Sequence, residues 1–288
     1  MTKTRTLGDA EVFPIGLGGM PMSLSSRPPE EQSIRTIHAA LDAGVNFIDT
    51  ADAYSADDSD FGHNERLIAT ALKDRRDGVI IATKGGHTRV RGGGWELDGR
   101  PEYIKRACEQ SLEALETDRI DLYQYHRPDP DVPYEETIGA FKELQDEGKV
   151  RWVGISNANM EQIELARGIV DVVSVQNQLS LEYGSPIGKG EVELCERHGI
   201  AFLPWSPFGG ISKAGDAPGT HDPVRQAAEA HGVSPQQVVL AWLLALSPVM
   251  IPIPGASRPE SITDSVEAVD LELSHEELQA IGGIAQTA

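Results

Sequence analysis

VIIATK, residues 79–84, is a short apolar run that ends abruptly on a lysine. Its apolar residues occupy consecutive positions, which is typical of a strand covered on both faces in a parallel sheet. Seven further, largely apolar runs resemble it: IGLGG (15–19), VNFID (45–49), IDLYQYH (120–126), VRWVGIS (150–156), VVSVQN (172–177), AFLPWS (201–206) and VMIPIP (249–254). We interpret the eight runs as eight parallel strands.

Amphipathic helical stretches separate these runs, with apolar residues three and four positions apart. Examples are EEQSIRTIHAALDAG (30–44), PEYIKRACEQSLEALE (101–116) and YEETIGAFKELQDEG (134–148). Eight strand-then-helix units predict an α/β fold, a (β/α)8 TIM barrel, in a single domain over residues 1–288. The opening TRTLGDAEVF (4–13) predicts a β-hairpin that plugs the barrel, and residues 211–234 predict a loop over one face.

A doubly wound Rossmann sheet is the competing architecture, because GLGGM (16–20) resembles the start of a dinucleotide fingerprint. That fingerprint requires a third glycine and an acidic residue at the end of the second strand. Neither is present at the required spacing, so the barrel is the favoured fold.

Composition excludes several classes of function. The chain has 25 Lys and Arg against 45 Asp and Glu, a formal net charge of −20, which disfavours nucleic acid and anionic membranes as partners. Cys108 and Cys195 lie in predicted helices without a Cys/His cluster, so we expect no disulfide and no metal site. Prolines interrupt the most apolar stretch, 238–255, and the amino terminus lacks a signal-peptide core, so we expect a cytoplasmic protein, monomeric or weakly homo-oligomeric.

Polar side chains close the predicted strands one after another. They are Asp49, Lys84, His126, Ser156 with Asn157, Gln176 with Asn177, and Ser206. Each alone has a structural explanation: Asp49 caps a turn, Lys84 extends its head to solvent, and His126 is a core histidine. In a TIM barrel, however, strand ends meet at the carboxyl-terminal rim, where active sites lie. The set together predicts an active site there.

The chemistry of this set centres on Tyr54, five residues after Asp49. A tyrosine with a pKa of about 10 is a weak acid, and a nearby ammonium such as Lys84 lowers that pKa. Asp49 supplies the counter-charge for the lysine, and His126 polarises a substrate carbonyl. Donation of a proton to a developing alkoxide requires a hydride source, which indicates a nicotinamide cofactor.

The chain resembles the aldo-keto reductase family over nearly its full length. The motifs are GVNFIDTADAY (44–54), ATKGG (82–86), YQYHRPDP (123–130), GISN (154–157), QNQLS (176–180), PWSPFGG (204–210) and IPIPGASRPESITDS (251–265). The resemblance implies a (β/α)8 barrel that reduces aldehydes or ketones, small carbonyl compounds, with NADPH and without a metal. It assigns the catalytic tetrad to Asp49, Tyr54, Lys84 and His126.

The resemblance also implies cofactor-binding positions. Gly19 and Met20 match the loop beside the nicotinamide ribose, with Asp49 nearby, and the carboxamide ligands match Ser156, Asn157 and Gln176. Trp205 stands where the family usually stacks a tyrosine on the nicotinamide ring, and the pyrophosphate segment matches Ser206, Pro207, Phe208 and Gly209. The positions that align with the adenosine end are Gly255, Ser257, Arg258, Ser261, Asp264 and Ser265. At that last end the cations are reduced to Arg258. A guanidinium suits a 2′-phosphate, so NADPH is favoured and NADH is the alternative.

The substrate pocket is predicted at Tyr54 and His126, with Trp95 and Tyr125 as candidate walls. Arg127 either meets an anionic substrate or, more simply, pairs with the neighbouring carboxylates of Asp129 or Asp131. Two other functional classes remain open. One is a regulatory or sensor protein that holds the cofactor with little turnover, like the potassium-channel beta subunits. The other is a metal-dependent barrel enzyme, which would need more carboxylate and histidine ligands at strand ends.

Overall fold

The computed structural model describes residues 4–210 and 217–287. The strands are β1 (Arg5–Leu7), β2 (Ala10–Val12), β3 (Leu17–Gly18), β4 (Phe47–Asp49), β5 (Ile80–Gly85), β6 (His87–Arg89), β7 (Trp95–Leu97), β8 (Ile120–Tyr125), β9 (Val150–Ser156), β10 (Val172–Gln176) and β11 (Ala201–Phe202). The α-helices are α1 (Glu30–Asp42), α2 (His63–Leu72), α3 (Pro101–Ala114), α4 (Tyr134–Asp146), α5 (Met160–Arg167), α6 (Ser185–Gly188), α7 (Glu191–His198), α8 (Asp222–His231), α9 (Pro235–Leu246), α10 (Pro259–Glu267) and α11 (His275–Thr287). Short 3-10 helices span Met20–Met22, Asp58–Asp60, Ala217–Thr220 and Ala268–Asp270.

Seven strands form one parallel sheet in the order β11-β10-β9-β8-β5-β4-β3. Strand β8 follows β5 directly in the sheet because β6 and β7 pair with each other as a separate antiparallel hairpin. Each of these strands falls on a predicted run: most are shorter than the run, β9 coincides with it, and β5 extends one residue beyond it, to Gly85.

The predicted eighth strand, residues 249–254, bridges the two edges of this sheet. Ile251 and Ile253 donate their backbone N–H groups to the carbonyls of Phe202 and Pro204, on the β11 side. On the other side, the carbonyls of Pro252 and Pro254 accept from Gly16 and Gly18 in and before β3. Proline has no N–H to return, so the pairing with β3 lacks half of its ladder and the segment is not a regular strand. The backbone nevertheless links the first strand to the last, which closes the (β/α)8 barrel.

The N-terminal hairpin is present and fills the lower end of the barrel. Leu7 and Val12, one from each strand of the hairpin, are buried in a cluster with inward-facing barrel residues. Those residues are Phe47, Ile80, Ala82, Leu122, Trp152, Val173, Ala201, Leu203, Ile251 and Ile253. Apolar side chains therefore fill the barrel interior below its carboxyl-terminal rim, as expected of a packed TIM barrel.

One expectation about an irregular segment needs correction. Residues 211–234 are not a loop throughout, because 222–231 form α8, whose buried residues Val224, Ala227 and Ala228 recur at helical spacing; residues 211–216 lie outside the described residues. The loop at 85–100 contains the β6–β7 hairpin. The cysteines are free and buried in α3 and α7 as expected. Among the described residues, no helix is both long and apolar enough to cross a membrane.

Candidate active site

Four predicted residues meet at the carboxyl ends of β4, β5 and β8. The Lys84 ammonium donates to Asp49 Oδ1 at 2.7 Å, to the Thr50 carbonyl at 2.8 Å and to the Tyr54 hydroxyl at 3.2 Å. The ring of His126 lies edge-on to that of Tyr54, with centroids 5.8 Å apart. Lys84 is completely buried, and the Asp49 carboxylate is the charge that compensates it.

A layer of amides below the lysine fixes the Asp49 carboxylate. Its Oδ2 accepts from Gln176 Nε2 at 2.7 Å and from Gln124 Nε2 at 3.3 Å, and Gln124 Oε1 accepts from the Ser174 hydroxyl. Gln124 and Ser174 were not among the predicted site residues. Gln124 could have been predicted from the two-residue repeat of a strand. Leu122, Gln124 and His126 are alternate residues, so their side chains point to the same side, the barrel interior. Ser174 was harder to find because a register irregularity interrupts β10 just before it.

Burial controls the protonation of the acid and the histidine. Burial raises the pKa of Tyr54 above its ordinary value and outweighs the charge of Lys84, which acts to lower it. The effect expected of Lys84 is therefore present, but the net direction is the opposite. Burial, assisted by the charges of Lys84 and Arg127, lowers the pKa of His126 well below 6.5. At neutral pH the site thus holds a protonated phenol and a neutral imidazole.

A cavity of about 710 Å³ opens beside Tyr54 and His126 and extends to α10. Of the predicted residues, its walls include Met20, Trp95, Arg127, Ser156, Asn157, Gln176, Trp205, Ser206, Pro207, Phe208, Gly255, Ser257, Arg258, Ser261, Asp264 and Ser265. Five others do not line it: Asp49 and Lys84 lie behind Tyr54, Gly19 and Gly209 are adjacent to wall residues, and Tyr125 packs elsewhere. A side chain at position 19 would be excluded, because a Cβ there would lie 2.4 Å from Asn64 Oδ1.

The placement of Tyr125 as a pocket wall is wrong. Its ring packs against Phe141 and Tyr134, at centroid distances of 5.9 and 5.6 Å, in the layer of helix α4. Its hydroxyl oxygen accepts from the backbone N–H of Asp129. Successive side chains along a strand point to opposite faces of the sheet. Because His126 faces the cavity, its neighbour Tyr125 faces the helices.

The carboxamide positions retain unused hydrogen-bonding groups. Asn157 donates Nδ2 to the His126 carbonyl and to Ser156 Oγ, and Gln176 donates Nε2 to Asp49. Both amide oxygens, and the proton of the Ser156 hydroxyl, have no partner among the described residues. They offer two acceptors and a donor, the complement of a primary carboxamide. Asn157 and Ser206 adopt left-handed backbone conformations, with φ of 56° and 50°, which are uncommon for residues other than glycine.

The adenosine end of the cavity, beside α10, is not strongly cationic. Arg258 is exposed on the wall and has no ion pair with a described residue, and Glu260, which was not predicted, lines the same region. The Asp264 carboxylate accepts from Ser234 Oγ and Gln237 Nε2, and the Ser265 hydroxyl donates to the Ser261 carbonyl. Asp264 and Ser265 are therefore held in place by internal bonds.

The β6–β7 hairpin contributes His87, a wall residue that was not predicted. Its ring stacks on Trp95 at 4.6 Å and lies edge-on to His126 at 4.8 Å. Burial, with the charges of Arg127 and Arg89, lowers the pKa of His87 to about 4. The Arg89 guanidinium lies 4.0 Å from the centre of the Trp95 ring and donates to the Ala56 carbonyl. The substrate end thus contains two neutral imidazoles and an indole.

Two further carboxyl groups lie buried behind the lysine. Burial and the charge of Glu65 raise the pKa of Asp52 well above 3.8. Neither carboxyl oxygen of Asp52 accepts a hydrogen bond from a described side chain. Burial raises the pKa of Glu65 to about 7, although it accepts from Thr83 Oγ1 at 2.5 Å. Within the described ranges, no three His, Cys, Asp or Glu residues are grouped to hold a metal ion.

Comparison with known proteins agrees with this geometry. The aldo/keto reductase family model matches residues 14–286. A probable aldo-keto reductase of Glycine max is 32% identical over 94% of this chain and 85% of its own length. An uncharacterised oxidoreductase of Schizosaccharomyces pombe is 35% identical, over 95% and 87%. The chain belongs to the aldo/keto reductase family, and it is an oxidoreductase.

Solved structures give the same result. An aldo-keto reductase from Klebsiella pneumoniae in complex with NADPH superposes with a TM-score of 0.83, at 27% identity, covering 99% of this chain and 95% of that one. A glycerol dehydrogenase from Gluconobacter oxydans also gives a TM-score of 0.83, at 26% identity, covering 99% and 96%. Both are similar over the whole barrel.

Proposed function

We propose that this protein reduces an aldehyde or ketone to the alcohol with NADPH, and that Tyr54 donates the proton. The observation that carries the proposal is the chain of contacts from Asp49 through Lys84 to the Tyr54 hydroxyl, with distances of 2.7 and 3.2 Å, at one end of the long cavity. Tyr54 and His126 both line that end, so a carbonyl oxygen between them would receive two hydrogen bonds.

The walls of the cavity fit a nicotinamide dinucleotide. The unused amide oxygens of Asn157 and Gln176 and the Ser156 hydroxyl match the carboxamide, and the Trp205 indole supplies a stacking surface. Arg258 supplies a cation for the 2′-phosphate at the far end, and the similar Klebsiella enzyme was crystallised with NADPH. When bound, the cofactor supplies the hydride; this chain orients it and supplies the proton.

Each tetrad residue has a separate task in this proposal. Tyr54 keeps its proton at neutral pH because its pKa is raised, and it releases that proton as negative charge develops on the substrate oxygen. The Lys84 ammonium stabilises the phenolate that remains, and Asp49 holds the ammonium. His126 is neutral and donates an N–H to the same oxygen without competing as an acid.

The test is NADPH oxidation over a panel of aldehydes and ketones, for the native protein and Tyr54→Phe. We expect turnover to fall by about 10²–10⁴-fold in the variant, the usual contribution of a general acid. Tyr183→Phe is the matched control, because Tyr183 is exposed and lies away from the cavity. NADPH affinity should be unchanged in both. Equal turnover in native and Tyr54→Phe proteins would refute the role of Tyr54, and tight NADPH binding without any turnover would favour the sensor function.

A further inference from the structure

The substrate end of the cavity contains an arginine without a counter-charge. Arg127 follows His126 directly, is exposed and lines the cavity. It makes no hydrogen bond or ion pair with a described residue, and Asp129 and Asp131 do not pair with it. The Asp129 carboxylate is occupied instead by the backbone N–H groups of Gly99 and Asp131. The simpler explanation of Arg127 as one half of a local ion pair is therefore wrong.

Within residues 4–210 and 217–287, no carboxylate lines this end of the cavity. Among the described wall residues, the acidic ones are Glu260 and Asp264. Both belong to α10, which follows Arg258 at the adenosine end. The Asp49 carboxylate lies behind Tyr54 and is satisfied by Lys84 and Gln176. In a chain with a net charge of −20, the residues that surround the predicted carbonyl position are cationic or neutral.

The position of Arg127 relative to the reacting groups is constrained. Arg127, His87 and His126 line the same cavity, and the charge of Arg127 contributes to lowering the pKa of both imidazoles. These imidazoles are 4.8 Å apart, and the Nδ1 atom of each is buried without a partner. A group that occupies the space between Arg127 and the imidazoles would be within reach of Tyr54, whose ring is next to His126.

We propose that the carbonyl substrate carries a carboxylate and that Arg127 binds it while Tyr54 and His126 hold the carbonyl. This inference rests on the proposed reductase function. A guanidinium binds a carboxylate through two parallel N–H···O bonds and neutralises one negative charge. A phosphate dianion would need a second cation, but the nearby Arg89 is stacked on Trp95 and bonded to the Ala56 carbonyl. The exposed part of the Trp95 indole, which lines the cavity, offers an apolar surface for the part of the substrate between the two groups.

The test compares para-carboxybenzaldehyde with its methyl ester, which has the same aldehyde and nearly the same shape but no charge. With saturating NADPH, we expect kcat/KM of the native enzyme to favour the acid by about tenfold, the usual effect of a partly exposed charge-assisted hydrogen bond. Arg127→Gln should abolish this preference, mainly through KM, and change the ester by less than about threefold. The matched control is Arg119→Gln, which removes an exposed cation just before β8, at the opposite end of the barrel.

Binding of a substrate analogue separates the two proposals. Calorimetric titration of the NADP⁺ complex with benzoate and with benzamide needs no turnover. Tighter binding of benzoate that is lost in Arg127→Gln and kept in Arg119→Gln would support the anion site, even if neither aldehyde were reduced and the reductase proposal failed. Equal affinities for the two ligands, or an equal loss for the acid and the ester in Arg127→Gln, would overturn the anion site and leave the reductase proposal standing.

Discussion

Replacement of Glu65 by glutamine should stabilise the protein, and the gain should appear only as the pH rises. Glu65 is buried between Thr83 and α3, and burial raises its pKa from 4.5 to about 7. Between these pH values the unfolded chain has released this proton and the folded chain keeps it. Since stability falls with pH wherever the folded state binds more protons, this group lowers the free energy of unfolding over that interval.

The size of the effect follows from the shift. A difference of about 2.5 pKa units corresponds to about 3 kcal/mol of unfolding free energy, at 1.36 kcal/mol per unit. The cost is absent below pH 4.5, grows through the interval and is complete above about pH 7. Glutamine is uncharged and its amide oxygen can still accept from the Thr83 hydroxyl, so Glu65→Gln removes the cost and retains that bond.

Urea unfolding at a series of pH values from about 4 to 8 measures the difference between variant and native protein. We expect this difference to increase by up to about 3 kcal/mol in favour of Glu65→Gln across the series. Glu11→Gln is the control, since Glu11 is exposed on the N-terminal hairpin, and its difference should not vary in this way. A difference for Glu65→Gln that stays constant with pH would show that the folded protein does not retain the Glu65 proton.

Three further outcomes follow from the site. Lys84→Met leaves the buried Asp49 carboxylate without its cation, so the free energy of unfolding measured by urea titration should fall by about 3 kcal/mol and NADPH oxidation should be lost. An unchanged unfolding midpoint would contradict the buried ion pair. Because the pKa of His126 lies well below 6.5, kcat/KM should not decrease from about pH 8 down to about pH 6, and a decrease with an apparent pKa near 6.5 would show an imidazole that titrates normally. Arg258→Gln should raise KM for NADPH about tenfold and leave KM for NADH unchanged, which steady-state kinetics with both cofactors will decide.

Much of the fold was accessible from sequence because barrel strands and their helices carry strong local patterns. The apolar runs located all seven strands of the parallel sheet, and the polar residues at their ends indicated the rim at which the proposed active site lies. The pairing of residues 249–254 could not be derived in detail from the sequence. Its prolines have no backbone N–H, so the isoleucines donate to one neighbouring strand and the proline carbonyls accept from the other. The α8 helix was missed because its pattern, unlike those of α1 and α3, follows a stretch without clear periodicity.

Site residues were predictable where their position within a strand fixed their direction, and not where loops brought them together. Gln124 could have been found from its parity with His126, and the same rule would have removed Tyr125 from the pocket. His87 had no such signal, since the β6–β7 hairpin that places it beside His126 folds by contacts with Trp95 and Arg89. Loop residues need the tertiary structure before their chemistry can be assigned.

The buried acids explain how a single lysine can serve the proposed acid. Lys84 has three carboxyl groups near it, but it makes a hydrogen bond only to that of Asp49. If Asp52 and Glu65 were also ionised, the net charge around Lys84 would be negative, and a phenolate at Tyr54 would be destabilised as the proton leaves. Burial opposes this by raising the pKa of both groups, so that Asp52 is held towards its neutral form and Glu65 is mostly neutral below about pH 7. The proton that Glu65 retains therefore costs the fold stability, but below about pH 7 it keeps a further negative charge away from Tyr54.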